Sequence, residues 1–367
     1  MAKKTIITPL PENYEPWMEP YFLKRQKQKV RQPEIKRLKN VFVNHYGLVL
    51  KNGIIKRRSA FNLFGNEDNT FGFAYWKILF EQYIISKFGK SLPSVKLTDD
   101  KTYLLIHSKW FNYSFWVNSF LARLLHAEEV YGLENLVLIY PEGWDHISYA
   151  SESLEPIQIE RIRIPNDHHL FVKNLILPET RAWTASFDPT QIQKVRERFV
   201  PLALERTKLT SFPKNIYLTR NKRKTRSIEN EDELTPILLE HDFTILNFED
   251  YSFWDQLALM HHAKCFISIH GAGFSNCLFM PFGSSVLELV NQVYADLEYK
   301  FPFWKLACAA GLKYHVQFGQ PMNQNQNLRR GGKHDHQNVY LADENIKIDL
   351  NIFKKNLLLM DFTKPVS

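Results

Sequence analysis

Apolar residues in this chain gather in short runs, and the stretches between the runs carry them at helical spacing, the pattern of an α/β protein. Residues 103–106, 136–140 and 157–164 read as strands, and 113–131 as a long helix after the first of them. Upstream, 41–50 and 54–57 form a predicted strand pair turning at Lys51-Asn52-Gly53, an asparagine–glycine hairpin signal, and 73–88 reads as an aromatic-rich helix. A charged helix over 187–206 opens behind Asp188 as N-cap with Pro189 in its first position. A second series follows, with strands at 215–218, 243–248, 265–269, 286–290 and 314–318. Asn230 with Glu233, and Ser252 with Asp255, have the spacing of capping boxes at two helix starts. Residues 297–310 read as a helix ended by Gly311, 322–333 as a polar loop and 350–360 as a closing helix.

Two strand–helix series joined by a linking helix predict two Rossmann-like domains facing a cleft. Their predicted bounds are 41–186 and 187–348, with an N-terminal segment 1–40 and a closing helix and tail 349–367. In open α/β sheets ligands bind beyond the carboxyl ends of the strands. That rule marks His107 and Glu142 in the first series and His270 in the second.

Composition sharpens this picture in three ways. At 44% hydrophobic and 14% aromatic, the chain can build two packed cores and is not a disordered sequence. Cys265, Cys277 and Cys308 lack metal-ligand spacing and have apolar neighbours, which suits buried free thiols in a reducing compartment. No stretch approaches the ~20 apolar residues of a membrane span, and no apolar run follows Met-Ala-Lys-Lys-Thr, so either a cytoplasmic protein or a trimmed chain is expected.

The net charge of +8 is uneven. Lys24, Arg25, Lys27, Lys29, Arg31, Lys36, Arg37 and Lys39 stand against the single acid Glu34, just after Tyr14, Trp17, Met18, Tyr21 and Phe22. Aromatics beside a basic run suit an anionic membrane surface, at ~1 kcal/mol per basic residue; a solvated basic face is the alternative. No nucleic-acid motif accompanies the charge, so nucleic acid is not an expected partner.

The densest chemistry lies at Cys265-Phe-Ile-Ser-Ile-His270-Gly271-Ala272-Gly273-Phe-Ser-Asn276. A buried strand runs into a glycine turn with bare backbone N–H groups and then into a helix start, an arrangement that favours a phosphate. Glu288 is an acid within the next apolar strand and must meet a donor there, for which a sugar hydroxyl is one candidate.

His-Gly-Ala-Gly-x-x-Asn from His270 to Asn276, followed by Phe-Met-Pro-x-Gly-x-x-Val-Leu-Glu-Leu through Glu288, resembles the signature of glycosyltransferase family 61. That family holds bacterial capsule and surface-glycan transferases and plant and animal sugar transferases. Three other segments resemble it. One is Ile216-Tyr-Leu-Thr219-Arg220 with Arg226 and Asn230-Glu231; another is Phe303-Trp-Lys-Leu-Ala307 with Gly311-Leu-Lys-Tyr314. The third, Asn112-Tyr113-Ser-Phe115-Trp116 with Arg123-Leu124, is similar to a bacterial Asn-Tyr-x-His-Trp-Leu…Pro-Arg-Leu element, departing from it at Phe115 and Ala122. The likeness runs from about residue 41 to the C-terminus.

The resemblance implies a GT-B fold and an inverting reaction with a nucleotide-sugar donor, UDP-linked first. It implies a donor site of Arg220, Arg226, His270, Gly271, Ala272, Gly273, Asn276 and Glu288, and an acceptor side of Asn112, Tyr113 and Trp116. Arg220 and Arg226 suit the diphosphate because a guanidinium can bond two oxygens at once. His270 suits a phosphate or leaving-group oxygen. Asn276 suits either the turn or the donor, and Glu288 either ribose hydroxyls or a salt bridge. Asn230 and Glu231 read as helix cap and dipole partner.

The chain has no Asp-x-Asp, and His334-Asp335-His336 lies in a polar stretch, so neither a metal nor another cofactor is expected. Inversion requires a general base for the acceptor hydroxyl. His107 and Glu142 both meet the topological demand, and Glu142 stays ionised over the wider pH range. The expected protein is a cytoplasmic transferase of surface-polysaccharide or lipopolysaccharide assembly acting on a glycan or glycolipid. A non-catalytic glycan- or membrane-binding scaffold, and another nucleotide-binding α/β enzyme, stay open.

Overall fold

The computed structural model describes residues 3–31, 34–52, 54–56, 59, 94–108, 111–166, 168–178, 187–220, 226–293, 301–322 and 344–360. The predicted helix over 73–88 and the His334-Asp335-His336 tract lie outside them, as does most of the loop 322–333. The chain divides into two compact units, one formed by residues 31–184 and one by 3–30 with 185–367. Among the described residues no helix is long and apolar enough to cross a membrane.

Two short strands near the start, β1 (Lys3–Ile7) and β2 (Lys27–Arg31), pair with each other. The first unit then builds one mixed sheet from β3 (Ile35–Asn44), β4 (Val49–Lys51), β5 (Ile54–Ile55), β6 (Ser94–Leu97), β7 (Thr102–Leu105), β8 (Leu136–Pro141), β9 (Glu160–Ile164) and β10 (His169–Pro178). Its order is β5-β4-β3-β10-β7-β8-β9, with β6 also along β10. Strands β10, β7, β8 and β9 run parallel, and β3 lies antiparallel on β10.

The hairpin at Asn52 forms, but the predicted strand 41–50 is two strands. The chain turns between Asn44 and Leu48, whose N–H donates to Asn44 Oδ1 at 2.8 Å. Gly47 holds φ +74° there, and a Cβ on it would lie 2.5 Å from the His107 carbonyl oxygen. Strand β10 has no counterpart in the sequence reading. Lys173-Asn174 splits its apolar residues into an alternating half and a run buried on both faces, so neither strand template spans it. The helix over 113–131 is present, with one π-helical turn, Trp116–Phe120, between Tyr113–Phe115 and α1 (Leu121–Tyr131). A shorter helix, α2 (Ser148–Leu154), precedes β9.

In the second unit the strands are β11 (Asn215–Leu218), β12 (Phe243–Leu246), β13 (Cys265–Ile269), β14 (Ser285–Asn291), β15 (Lys313–Pro321) and β16 (Ile346–Lys347). Their order is β12-β11-β13-β14-β15-β16, parallel throughout except for β16 on β15. The helices are α3 (Pro189–Arg206), α4 (Glu231–Glu240), α5 (Phe253–His262), α6 (Pro302–Ala309) and α7 (Leu350–Leu359). Asp188 caps α3 through the Thr190 N–H, and Ser252 with Asp255 caps α5 reciprocally, as their spacing predicts. Asn230 departs from its predicted role. Its side-chain amide exchanges two hydrogen bonds of 2.9 Å with the Ile348 backbone and so ties the start of α4 to the end of the chain.

The N-terminal stretch is not a separate basic-aromatic segment. Residues 3–30 belong to the second unit and cover the edge of β15. The Glu12 N–H donates to Tyr314 O at 2.8 Å. The Asn13 side chain pairs with both the N–H and the carbonyl of Val316, as a neighbouring strand would. Trp304 Nε1 donates to Pro9 O at 2.8 Å. Phe22 and Met18 are core residues, so of the aromatic residues read as membrane-facing only Trp17, at 49% exposure, is a largely exposed one.

Candidate donor site at a strand switch point

Strand β11 opens the second series, β12 lies on one side of it and β13 on the other. The winding direction therefore reverses between β11 and β13. In sheets of this order, ligands bind at the carboxyl ends that flank such a reversal. Those ends carry Thr219 and Arg220 on one side, and His270 and Gly271 on the other, in a register that pairs Leu218 with Ser268.

Arg220 is seated against the glycine turn. A Cβ added to Gly271 would lie 2.5 Å from Arg220 Nη1, and one on Gly273 would lie 2.9 Å from Leu218 Cδ2. Gly271 has φ 167°, extended backbone open to any residue, so its requirement is the close approach of the arginine. The predicted α-helical start is a 3-10 helix, Ala272–Phe279, whose residues from Phe274 onward are buried. That burial holds the turn amides rigid against the sheet. Asn276 is also buried. Its Nδ2 donates to Gly273 O at 3.2 Å and Gln256 Oε1 at 3.4 Å, so it braces the turn.

Glu288 is 1% exposed, and the ribose assignment does not fit it. One carboxylate oxygen meets His270 Nδ1, and the other accepts from the Tyr314 hydroxyl at 2.5 Å. Sequence reading left Tyr314 without a role. The available signal was a buried acid in β14 that needed a donor from a neighbouring strand. His270 is further fixed by its backbone N–H, which donates to Leu289 O at 2.8 Å, and by the Phe303 ring at 4.9 Å. Arg226 stands in left-handed backbone, φ 56°, where the chain enters its pairing with Ile346. Glu231 accepts from the Tyr217 and Thr219 hydroxyls beneath the end of β11.

In the first unit the two candidate bases separate. His107 is buried between the His45 carbonyl, 3.2 Å from Nε2, and the Trp144 ring at 5.2 Å. Burial drives its pKa down to about 3, with the Arg123 charge adding to the effect. A group so placed is a core histidine and not a general base at neutral pH. Glu142 is exposed, immediately beyond β8, and opens the 3-10 helix Glu142–His146.

Trp116 is fully buried, with Nε1 on Ser153 Oγ at 2.8 Å and its ring 4.9 Å from Trp144, so it packs the core and does not meet an acceptor. Asn112 is a helix cap, its Oδ1 accepting from the Phe115 N–H at 3.0 Å. Tyr113 is half-buried, edge-on to Tyr149 at 5.2 Å. Arg123 is a buried cation that bonds the Ile106 carbonyl, and burial lowers its pKa to about 9.

Burial of neutral His107 has a pH consequence. Its folded pKa lies below the ordinary histidine value, so the unfolded chain binds more protons between the two. The stabilisation is fully present above about pH 6.5 and is lost as pH falls toward the folded value, at up to ~1.4 kcal/mol per pH unit. Denaturant melts of wild type and His107→Gln across that range are expected to show a shallower acid slope in the variant.

Among the described residues no group of three or more His, Cys, Asp and Glu side chains could hold a metal ion. The site so far is an arginine and a histidine over a glycine turn at a strand switch point. Residues 113–287 match the family model of glycosyltransferase 61. The matched stretch includes Arg220, His270 and the whole glycine turn, and ends one residue before Glu288. Similar proteins are the EGF domain-specific O-linked N-acetylglucosamine transferases of Canis lupus familiaris and Mus musculus, each 36% identical over 81 residues. The Drosophila melanogaster protein of that name is 36% identical over 88 residues. The matches cover 20–22% of this chain and span only 15–17% of the length of those relatives.

Proposed function

We propose that the chain is an inverting glycosyltransferase of GT-B architecture that moves a sugar from a UDP-linked donor to a glycan or glycolipid hydroxyl. The observation that carries this reading is Arg220 seated on Gly271 at the switch point, inside the stretch that matches glycosyltransferase 61. The guanidinium fork and the turn amides supply positive potential for two phosphates without a metal or other cofactor. The acceptor oxygen attacks the anomeric carbon as a base takes its proton. The bond from that carbon to the diphosphate breaks with its electron pair moving to the phosphate oxygen, where Arg220 and the turn amides stabilise it.

Glu142, exposed beyond β8, is the base this reading selects from the first unit. Glu142→Gln keeps the shape and removes the basicity. It is expected to lower turnover by roughly 10²-fold or more and leave donor affinity unchanged; near-normal turnover would exclude it.

The likeness of the Asn112–Trp116 element to bacterial members supports a surface-polysaccharide or lipopolysaccharide acceptor at the cytoplasmic face. The names of the animal relatives favour N-acetylglucosamine as the first sugar to test and a protein acceptor as second reading. Trp17 and Lys24, both exposed, support contact with an anionic membrane, to be checked by salt-sensitive vesicle binding of wild type and Trp17→Ser.

UDP in EDTA is expected to raise the melting temperature, because a ligand bound to the native state alone stabilises it. Binding that vanishes in EDTA and returns with manganese would overturn the metal-free mechanism. No response to any nucleoside diphosphate would overturn the donor site. Product anomeric configuration by proton NMR decides inversion.

A further inference from the structure

We infer that Tyr314 and Glu288 are positioning residues for His270. The three form a buried relay that commits the imidazole Nδ1 to the carboxylate and so assigns any hydrogen bond from the ring to the donor diphosphate to Nε2. The inference deepens the donor-site reading above and rests on it for its catalytic part only.

Three adjacent parallel strands each contribute one member. His270 follows β13, Glu288 lies in β14 and Tyr314 in β15. A carboxylate buried in an apolar strand is costly without donors, and this one has two. The direction of each hydrogen bond can be assigned. Burial first, and then the Glu288 charge, push the Tyr314 phenol well above its ordinary range, so the hydroxyl keeps its proton and donates. An ionised carboxylate only accepts, so its other oxygen takes the Nδ1–H of His270. The bond at one ring nitrogen sets the state of the other. With Nδ1–H committed, the neutral ring presents Nε2 without a proton. When Nε2 gains one, the charge on the ring is countered by Glu288.

The relay gives the buried acid a purpose that a ribose contact does not, since both carboxylate oxygens already have partners. It also gives the buried Tyr314 hydroxyl its role in β15: the hydroxyl holds Glu288 so that Glu288 can hold the ring. In sugar transfer, protonated Nε2 donates a hydrogen bond to the diphosphate oxygen that receives the electron pair of the breaking bond. No proton need leave the ring for that step.

The first test uses ligand-free protein. Imidazole nitrogen–proton correlation spectra, with the His270 signals assigned by their loss in His270→Asn, are expected to show the neutral ring as the Nδ1–H tautomer. Tyr314→Phe should keep that tautomer, and Glu288→Leu should return the ring to the Nε2–H form. An Nε2–H tautomer in wild type overturns the relay, and this measurement stands even where Glu288→Leu fails to fold.

The second test is turnover with a UDP-sugar. His270→Asn and Glu288→Leu are each expected to lower kcat roughly 10²-fold with little change in donor KM, and the double variant to be no worse than His270→Asn alone. Losses that multiply in the double variant overturn the coupling. If wild type neither binds UDP nor transfers sugar, the donor reading falls and the tautomer still decides the relay.

Discussion

Phe22→Ala is expected to destabilise the second unit by about 3–5 kcal/mol, the usual cost of emptying a fully buried aromatic site. The Phe22 ring lies 4.8 Å from Phe301 and 5.0 Å edge-on to Trp304, whose indole N–H is in turn held by Pro9 O. The variant leaves a cavity beneath an N-terminal stretch that also completes the edge of β15 through Glu12 and Asn13. Deleting residues 1–30 removes the ring, the edge cover and the Trp304 partner together, and should leave the second unit unable to fold. Urea titration followed by tryptophan fluorescence checks both changes. A deletion variant with unchanged midpoint would show the segment to be an appendage. Salt-sensitive membrane binding therefore has to be probed with surface variants such as Trp17→Ser and not by truncation.

The second large effect is on diphosphate affinity. Arg220→Ala removes a guanidinium from the switch point. Hydrogen bonds to charged groups contribute about 1.5–3 kcal/mol, so UDP should bind roughly 10- to 100-fold more weakly, while uridine is little affected. Gly271→Ala is the more diagnostic change. Its new methyl would lie 2.5 Å from Arg220 Nη1, the tip of a flexible side chain, and its backbone is extended. Stability should barely change, yet the arginine must swing away and UDP affinity should fall with it. Because both substitutions act on one group, the double variant should lose no more than Arg220→Ala alone. Calorimetry with UDP and with uridine decides; independent, additive losses would mean that the glycine serves the turn and not the arginine.

Much of this architecture was legible in the chain. The two strand–helix series, the linking helix behind Asp188-Pro189, the Ser252–Asp255 cap and the hairpin at Asn52 are all set by local rules, and all form. Each depends on contacts within a few residues, which is the range over which hydrophobic period and capping chemistry act. Strand β10 escaped for the same reason. Lys173-Asn174 breaks its period, and only its pairing with β3, β6 and β7 makes it the centre of a sheet.

The site divides along the same line. The sequence by itself determined that a glycine turn follows a buried strand, that an arginine ends another, and that Glu288 needs a donor. It did not determine which donors. Ribose, a cation or a neighbouring strand would each satisfy a buried carboxylate, and residues 270, 288 and 314 are too far apart in the chain for local rules to rank them. The parallel register of β13, β14 and β15 made that choice, placing His270 and Tyr314 on the two oxygens. Tertiary packing likewise turned Trp116 and His107 from candidate contacts into core residues, because a strand end or a helix start can be buried under other elements without any change in its own sequence signal. Period and spacing fix which residues lie on which element; burial and partners follow from what packs against that element, and only the folded sheet supplies it.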